Sequence, residues 1–275
     1  MVGFHLAREL EKSHEVKTAA HSSKKVDFNL DASDSKSLEK TIAKASPDAV
    51  INAVKFPLSV DEMELQKEAA YRLNTLLPEN LARLQGKCSF KLVQVSTDGV
   101  YEGREGETYS EESPTYPKNY YCYTKALAEE RIRVLSPDYL ILRTEGVFGH
   151  DERGANFFLR LKKAAEEKRE FWAADDQFSQ PICGIEFARM ARILIEKKAS
   201  GAYNVTGADY LSRYQLAERI CKSMGWGCKL VKTSIKQRGM PVQSSLKVDN
   251  SKVEKLAGKI LSLNRQLEDL KGWEH

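Results

Sequence analysis

The sequence predicts an α/β fold: a parallel sheet with helices on both faces, followed by a smaller C-terminal α/β region. Three observations point there. Short apolar runs alternate with longer amphipathic stretches through the first half, the pattern of parallel strands joined by helical crossovers. Residues 49–54 are apolar apart from Asn52, and read as a strand buried on both faces. Beyond Gly149 the rhythm changes, which divides the chain into residues 1–149 and a smaller region, 150–275.

Residues 3–12 read as a helix, with Phe4, Leu6, Ala7 and Leu10 offering an apolar face, and residues 14–20 as a short strand. Helical spacing returns over 35–44 through Leu38 and Ile42, and Pro47-Asp48 ends it before the strand at 49–54. A long helix is expected over 61–84, with Pro78 as its point of interruption. Residues 91–96 are the next strand, closing on Ser96-Thr97-Asp98-Gly99. A polar, proline-punctuated loop leads to a helix over 119–135 and a strand over 139–143. In the second region, 157–168, 185–197 and 214–224 read as helices, with a short strand at 201–205. Some of this region is expected to cross back to the first sheet.

Composition narrows the class. Hydrophobic residues are 41% and charged residues 30% of the 275, which excludes a mainly disordered chain. No apolar run approaches the roughly 18 residues of a membrane span, and no basic-then-apolar leader is visible, so a cytoplasmic protein is expected. Five scattered cysteines lack metal-site or disulfide-framework spacing, giving an expectation of reduced thiols and no metal. A net charge of +4 without a basic, aromatic-laced stripe argues against nucleic acid.

Two constellations carry chemistry. Tyr121 and Lys125 are one helical turn apart and share a face. A nearby ammonium favours the phenolate, which would make Tyr121 a proton shuttle near neutral pH; the bland alternative is a surface pair. Thr97 follows a buried strand, at the carboxyl end where open α/β sheets place ligands. Its hydroxyl could hydrogen-bond the carbonyl oxygen that Tyr121 protonates, with Asp98 orienting the loop or a sugar hydroxyl. The alternative there is a plain turn.

The run Val95-Ser96-Thr97-Asp98-Gly99-Val100-Tyr101-Glu102-Gly103 resembles the segment of the dTDP-4-dehydrorhamnose reductases that carries the catalytic hydroxyl. These are extended short-chain dehydrogenase/reductases. Glu111-Glu112-Ser113-Pro114-Thr115-Tyr116-Pro117 with Tyr121-Cys122-Tyr123-Thr124-Lys125, then Ile141-Leu142-Arg143-Thr144, are similar to the family's loop, active-site helix and following strand. Asp175-Asp176-Gln177 with Pro181, and Arg238-Gly239-Met240-Pro241 before Ser245-Leu246, match later segments. The resemblance runs through nearly the whole chain. It implies a Rossmann-like NAD(P)-binding unit over 1–149, a substrate-binding region over 150–275, and reduction of a 4-keto nucleotide sugar. Thr97, Tyr121 and Lys125 would be catalytic. Gly3, Asp31, Asn52, Ala53, Val54, Ser96, Tyr121 and Lys125 would meet the cofactor. Asp98, Asn156, Phe157, Gln177 and Arg238 would meet the sugar nucleotide. A homodimer is also implied.

The chain departs from that pattern in places. Met1-Val2-Gly3 looks like the end of a Gly-x-x-Gly-x-x-Gly turn without its first strand and first two glycines, so the natural protein is expected to start about ten residues upstream. Glu145-Gly146 stands where the reductases often carry tryptophan, and Cys122 replaces a common glycine as a packing residue. Lys55 and Phe56 replace small residues beside the cofactor, with Lys55 read as pointing to solvent. The turn Ala20-His21-Ser22-Ser23-Lys24-Lys25 has hydroxyls and lysines but no acid, which favours NADP(H) over NAD(H). Two other readings stay open. One is a non-catalytic NADP-binding regulatory subunit like the methionine adenosyltransferase β subunit; the other is a nucleotide-sugar epimerase or dehydratase.

Overall fold

A computed structural model describes residues 1–21, 23, 25–55, 60–151, 156–237 and 242–272. Its centre is a four-stranded parallel sheet, ordered β3 (Ala49–Asn52), β4 (Lys91–Thr97), β5 (Tyr139–Thr144) and β8 (Gly201–Asn204). Successive side chains of β4 and β5 point to opposite faces. Val93, Val95, Leu140 and Leu142 pack with α8 (Gly184–Glu196), α10 (Ser251–Ala257) and Leu6 of α1 (Val2–Leu10). On the other face, Leu92 and Ile141 meet residues of α2 (Ser35–Ala45), α5 (Leu77–Leu84) and α6 (Tyr120–Leu135). Helices therefore cover both faces, as the apolar runs require.

The front of the sheet is divided. β1 (Ala19–Ala20) pairs in parallel with β2 (Phe28–Asn29) as a separate two-stranded sheet. The strand expected over 14–20 is thus reduced to two residues. β3 pairs with β4 alone among the described residues, so Val50 and Ile51 are only partly buried, not enclosed on both faces.

The helix expected over 61–84 is also broken. It comprises α3 (Val60–Met63), α4 (Lys67–Tyr71), a π-helical turn at Arg72–Leu76, and α5. The first break falls at Gln66, which leaves helical backbone (φ −120°, ψ 51°). Pro78 comes just after the π-helical turn, in the first turn of α5, so the irregularity expected at the proline takes the form of a change of helix type within continuous helical backbone.

In the second region, β6 (Glu170–Ala174) pairs with β10 (Lys229–Thr233), and β7 (Phe178–Ser179) pairs antiparallel with β9 (Leu211–Ser212). α7 (Phe157–Glu166), α9 (Arg213–Met224) and α11 (Leu263–Lys271) enclose a second core around Phe158, Leu161, Ile220 and Leu267. One expectation is corrected here: Cys221 and Cys228 form a disulfide, with Cα atoms 6.1 Å apart. α9 ends at Gly225 in left-handed backbone (φ 70°), and the amide of Trp226 bonds back to Cys221 O, so the chain doubles along the last turn and brings the two thiols together. Cys88, Cys122 and Cys183 are free.

Candidate active site

The candidate residues gather at the carboxyl ends of β4 and β5. Thr97 is the last residue of β4 and the N-cap of the 3₁₀ turn Asp98–Val100. Its Oγ1 accepts the amide hydrogen of Gly99 at 3.1 Å. That contact uses one of its lone pairs, and the hydroxyl also hydrogen-bonds Tyr121. Two groups remote in sequence hold the turn. Gln243 Nε2 donates to Gly99 O at 2.9 Å and to Tyr101 O at 3.2 Å. Gly99 itself is required, since a Cβ there would lie 2.6 Å from Cys122 Sγ.

α6 begins at the N-cap Asn119, whose side chain accepts from Cys122 N at 3.0 Å. Its first turn is tied to the π-helical segment. Asn74 Nδ2 donates to Thr124 Oγ1 at 3.1 Å and Thr75 Oγ1 to Thr124 O at 2.8 Å. Such π turns are frequent where a helix is adjusted to serve a site.

Tyr121 is half-buried as a residue, but its hydroxyl lies deep in protein. Burial raises its pKa, and the neighbouring Cys122 and Asp98 raise it further, while the Thr97 hydroxyl lowers it. Lys125 is fully buried and donates from Nζ to Val95 O at 2.7 Å. Burial pulls its pKa from 10.5 down to about 8, with Glu129 opposing and Lys55 adding to the effect. Lys125 is not among the groups that chiefly set the Tyr121 pKa, so the phenolate-favouring effect expected from the sequence is outweighed by burial. Tyr121 is held as the phenol, the form that can donate a proton.

Behind these residues lies a buried ion pair. Glu129 accepts from Arg143 Nη2 at 2.6 Å, from Ser96 Oγ at 2.5 Å and from Arg133 Nη2 at 2.8 Å. Arg143 Nη1 also donates to Tyr101 OH at 2.6 Å, which in turn donates to Asn204 Oδ1 at 2.9 Å. The network fastens α6 to β4, β5 and β8. It also commits the Ser96 hydroxyl to Glu129.

The candidate cofactor residues divide between two places. Gly3 and Ala53 are adjacent: a Cβ on Gly3 would lie 3.5 Å from that of Ala53. The start of α1 thus approaches the end of β3, where Asn52 binds Gln94 Oε1 at 2.8 Å and the Val54 amide at 3.1 Å. Asp31, exposed just after β2, accepts from the Ser33 amide and hydroxyl at 2.9 and 2.7 Å, which lower its pKa. Ser22, Lys24 and Phe56 lie outside the described residues, and Lys55 is exposed. A nicotinamide dinucleotide fits this donor set: small residues line a close backbone approach, and Lys125 keeps N–H donors beyond the one spent on Val95 O.

Of the residues expected to meet the sugar nucleotide, Phe157 and Gln177 converge on Arg213. The Arg213 guanidinium lies 5.9 Å above the Phe157 ring, and its Nε donates to Gln177 Oε1 at 3.0 Å. Asn156 instead caps α7 through Leu159 N at 3.3 Å and donates to Gly149 O at 2.8 Å. Arg238 lies outside the described residues. Sequence reasoning missed Arg213, Glu129 and Gln243. Arg213 follows Ser212, which opens a capping box with Gln215, so a helix start was legible there but its partner was not.

Comparison with known proteins adds an independent observation. The family model described as RmlD substrate binding domain matches residues 1–263. A dTDP-4-dehydrorhamnose reductase of Burkholderia thailandensis is 30% identical over 231 residues, covering 81% of this chain and 74% of that protein. The spore coat polysaccharide biosynthesis protein SpsK of Bacillus subtilis is 30% identical over 210 residues, covering 76% and 73%. In fold, the chain is similar to the dTDP-4-dehydrorhamnose reductase of Bacillus anthracis in complex with NADP. The TM-score is 0.85 at 22% identity, over 98% of this chain and 95% of that one.

Proposed function

The chain belongs to the RmlD substrate binding domain family, and from that premise we propose that it is an NAD(P)H-dependent reductase of a 4-keto nucleotide sugar of the dTDP-4-dehydrorhamnose type. The observation that carries this reading is the meeting of Thr97, Tyr121 and Lys125 at the carboxyl end of β4. Residues 1–149 would form the dinucleotide-binding unit and 150–275 the substrate-binding region, with 184–204 and 251–257 returning to the first sheet.

The nicotinamide cofactor, when bound, supplies the hydride that reaches the carbonyl carbon. Tyr121 donates its phenolic proton to the carbonyl oxygen, and the Thr97 hydroxyl hydrogen-bonds that oxygen as charge develops on it. The Lys125 ammonium, held at Val95 O, stabilises the tyrosinate left behind and holds the ribose hydroxyls. Ser96 supports the loop from behind through Glu129. Gly3, Ala53 and Val54 line the approach of the dinucleotide, with Asp31 at its adenine end. NADP(H) is favoured over NAD(H) because the turn after β1 contains hydroxyl and lysine residues and no acid, and NADP is the cofactor in the Bacillus anthracis structure. Among the described residues no helix is long and apolar enough to cross a membrane. The use of a nucleotide sugar and a dinucleotide supports a cytoplasmic location; the Cys221–Cys228 bond is the observation that runs against a reducing compartment. A homodimer belongs to the same proposal.

NADPH oxidation with dTDP-4-keto-6-deoxyhexose tests the reading. The wild type should turn over, and Tyr121→Phe should lose about 10²–10⁴-fold in kcat with NADPH affinity retained. Full turnover by Tyr121→Phe would refute the mechanism. NADPH binding without any turnover by the wild type would instead favour a regulatory subunit.

A further inference from the structure

The turn that follows Thr97 is held by a side chain from the second region. Gln243 is 6% exposed and lies 144 positions from Gly99 in sequence. Its amide nitrogen has two hydrogens, one for each of two carbonyls: Gly99 O at 2.9 Å and Tyr101 O at 3.2 Å. Cys122, the neighbour of Tyr121 on α6, also hydrogen-bonds the Gln243 side chain through its thiol. Gly99 packs against that same thiol, at a distance that leaves no room for a Cβ. One amide therefore touches the residues that follow Thr97 and the residue that follows Tyr121. The loop is shaped to admit it: Gly103 is left-handed (φ 71°), and a Cβ there would lie 2.7 Å from both Cβ and Cγ of Gln243.

The backbone at Gln243 belongs to the other side of the molecule. Phe178 N donates to Ser244 O at 2.8 Å and Leu246 N to Phe178 O at 3.0 Å, so this segment runs along β7. Tyr210 OH and Ser245 Oγ are hydrogen-bonded at 2.6 Å. Gln177, which accepts from Arg213, donates to Gln243 O at 3.5 Å. The main chain here is thus tied to the second region, and the Gln243 side chain to the turn at the end of β4. Packing alone does not call for an amide. Methionine would fill the same space, but would take from the Gly99 and Tyr101 carbonyls the donor they share. What the amide adds is a fixed relation between the turn after Thr97, the first turn of α6 and the second region.

On the reading of the chain as a keto-sugar reductase, we propose that Gln243 is a positioning residue for the proton-transfer step. Its amide holds the turn after Thr97 against the start of α6, so that the Thr97 hydroxyl and the Tyr121 phenol address one carbonyl oxygen. It acts through those two residues. A misplacement of about 1 Å in such a site costs on the order of 10²-fold in rate. Loss of the amide is therefore felt in turnover and leaves the binding of both ligands in place.

Steady-state and single-turnover oxidation of NADPH with dTDP-4-keto-6-deoxyhexose tests this on Gln243→Met, Gln243→Glu and Gln243→Asn. Methionine keeps the volume without the donor, glutamate keeps the shape without the amide, and asparagine keeps the amide one carbon too short. Each should lose about 10–100-fold in kcat, with KM and NADPH affinity within about threefold of the wild type. The decisive measurement is the double-mutant cycle with Tyr121→Phe. Once the proton donor is gone, Gln243→Met should cost less than about threefold more, against about 10–100-fold when Tyr121 is present. A residue that merely supports the fold would cost the same in both backgrounds, so additive losses overturn the proposal. Unchanged kcat in the three variants overturns it too. So does loss of NADPH binding in all of them, which would make Gln243 a residue of the fold alone. A wild type that fails to turn over removes the reductase reading itself. Turnover by the wild type beside fully active Gln243 variants removes only the role of Gln243.

Discussion

Replacing Lys125 with methionine should change how stability depends on pH, by an amount that the structure sets. Lys125 is 3% exposed, and burial brings its pKa from 10.5 to about 8. Below pH 8 both folded and unfolded chains carry the ammonium, and the fold bears the full cost of burying it. Between about 8 and 10.5 the folded chain has released the proton and the unfolded chain has not. Stability therefore rises with pH across that window. A displacement of this size corresponds to about 3 kcal/mol at roughly 1.4 kcal/mol per pH unit. Lys125→Met has no proton to lose and keeps a similar volume. The stability of the wild type relative to Lys125→Met should thus increase by about 3 kcal/mol from pH 7 to pH 10.5, measured by urea unfolding at each pH. Using the difference cancels every other titrating group. Parallel pH curves for the two proteins would show that the ammonium carries no burial cost, and would refute the reasoning. Turnover should show the complementary face: in the free enzyme kcat/KM should fall as pH rises through about 8, because the charged form is the one that stabilises a tyrosinate.

Other consequences concern the scaffold. Gly99→Ala would push a Cβ to 2.6 Å from Cys122 Sγ, and should destabilise the protein by about 1–3 kcal/mol in thermal or urea unfolding. Adding Cys122→Gly should recover part of that loss; no recovery would mean that the clash lies elsewhere. Arg143→Met would take from the fully buried Glu129 its buried cationic partner, leaving Arg133 and the Ser96 hydroxyl, and should cost about 3 kcal/mol. Combining it with Glu129→Gln should cost less than Arg143→Met alone, a comparison that urea unfolding of the three variants resolves.

Much of this arrangement is legible in the amino-acid sequence itself. The two faces of β4 and β5 follow from apolar runs long enough to be buried by helices on both sides. The helix carrying Tyr121 and Lys125 is legible because Asn119 caps it and its pattern is local. The resemblance of Val95-Ser96-Thr97-Asp98-Gly99 to a known active-site segment puts Thr97 beside them. Each of these signals lies within a few residues of the feature it marks.

What only tertiary structure decided has partners far apart in sequence, or too little length for periodicity to register. The two-residue strands β1, β2, β7 and β9 carry no pattern. The Cys221–Cys228 bond depends on the chain reversing at Gly225, which sequence spacing alone did not reveal. Gln243 reaches the turn after Thr97 from 144 positions away in sequence, and Arg213 reaches Glu145 from 68. The protonation states of Tyr121 and Lys125 depend on how deeply the fold buries them. Residue types and spacing showed which groups were available for chemistry. Only the packing around them set the charges they carry and the hydrogen bonds they make.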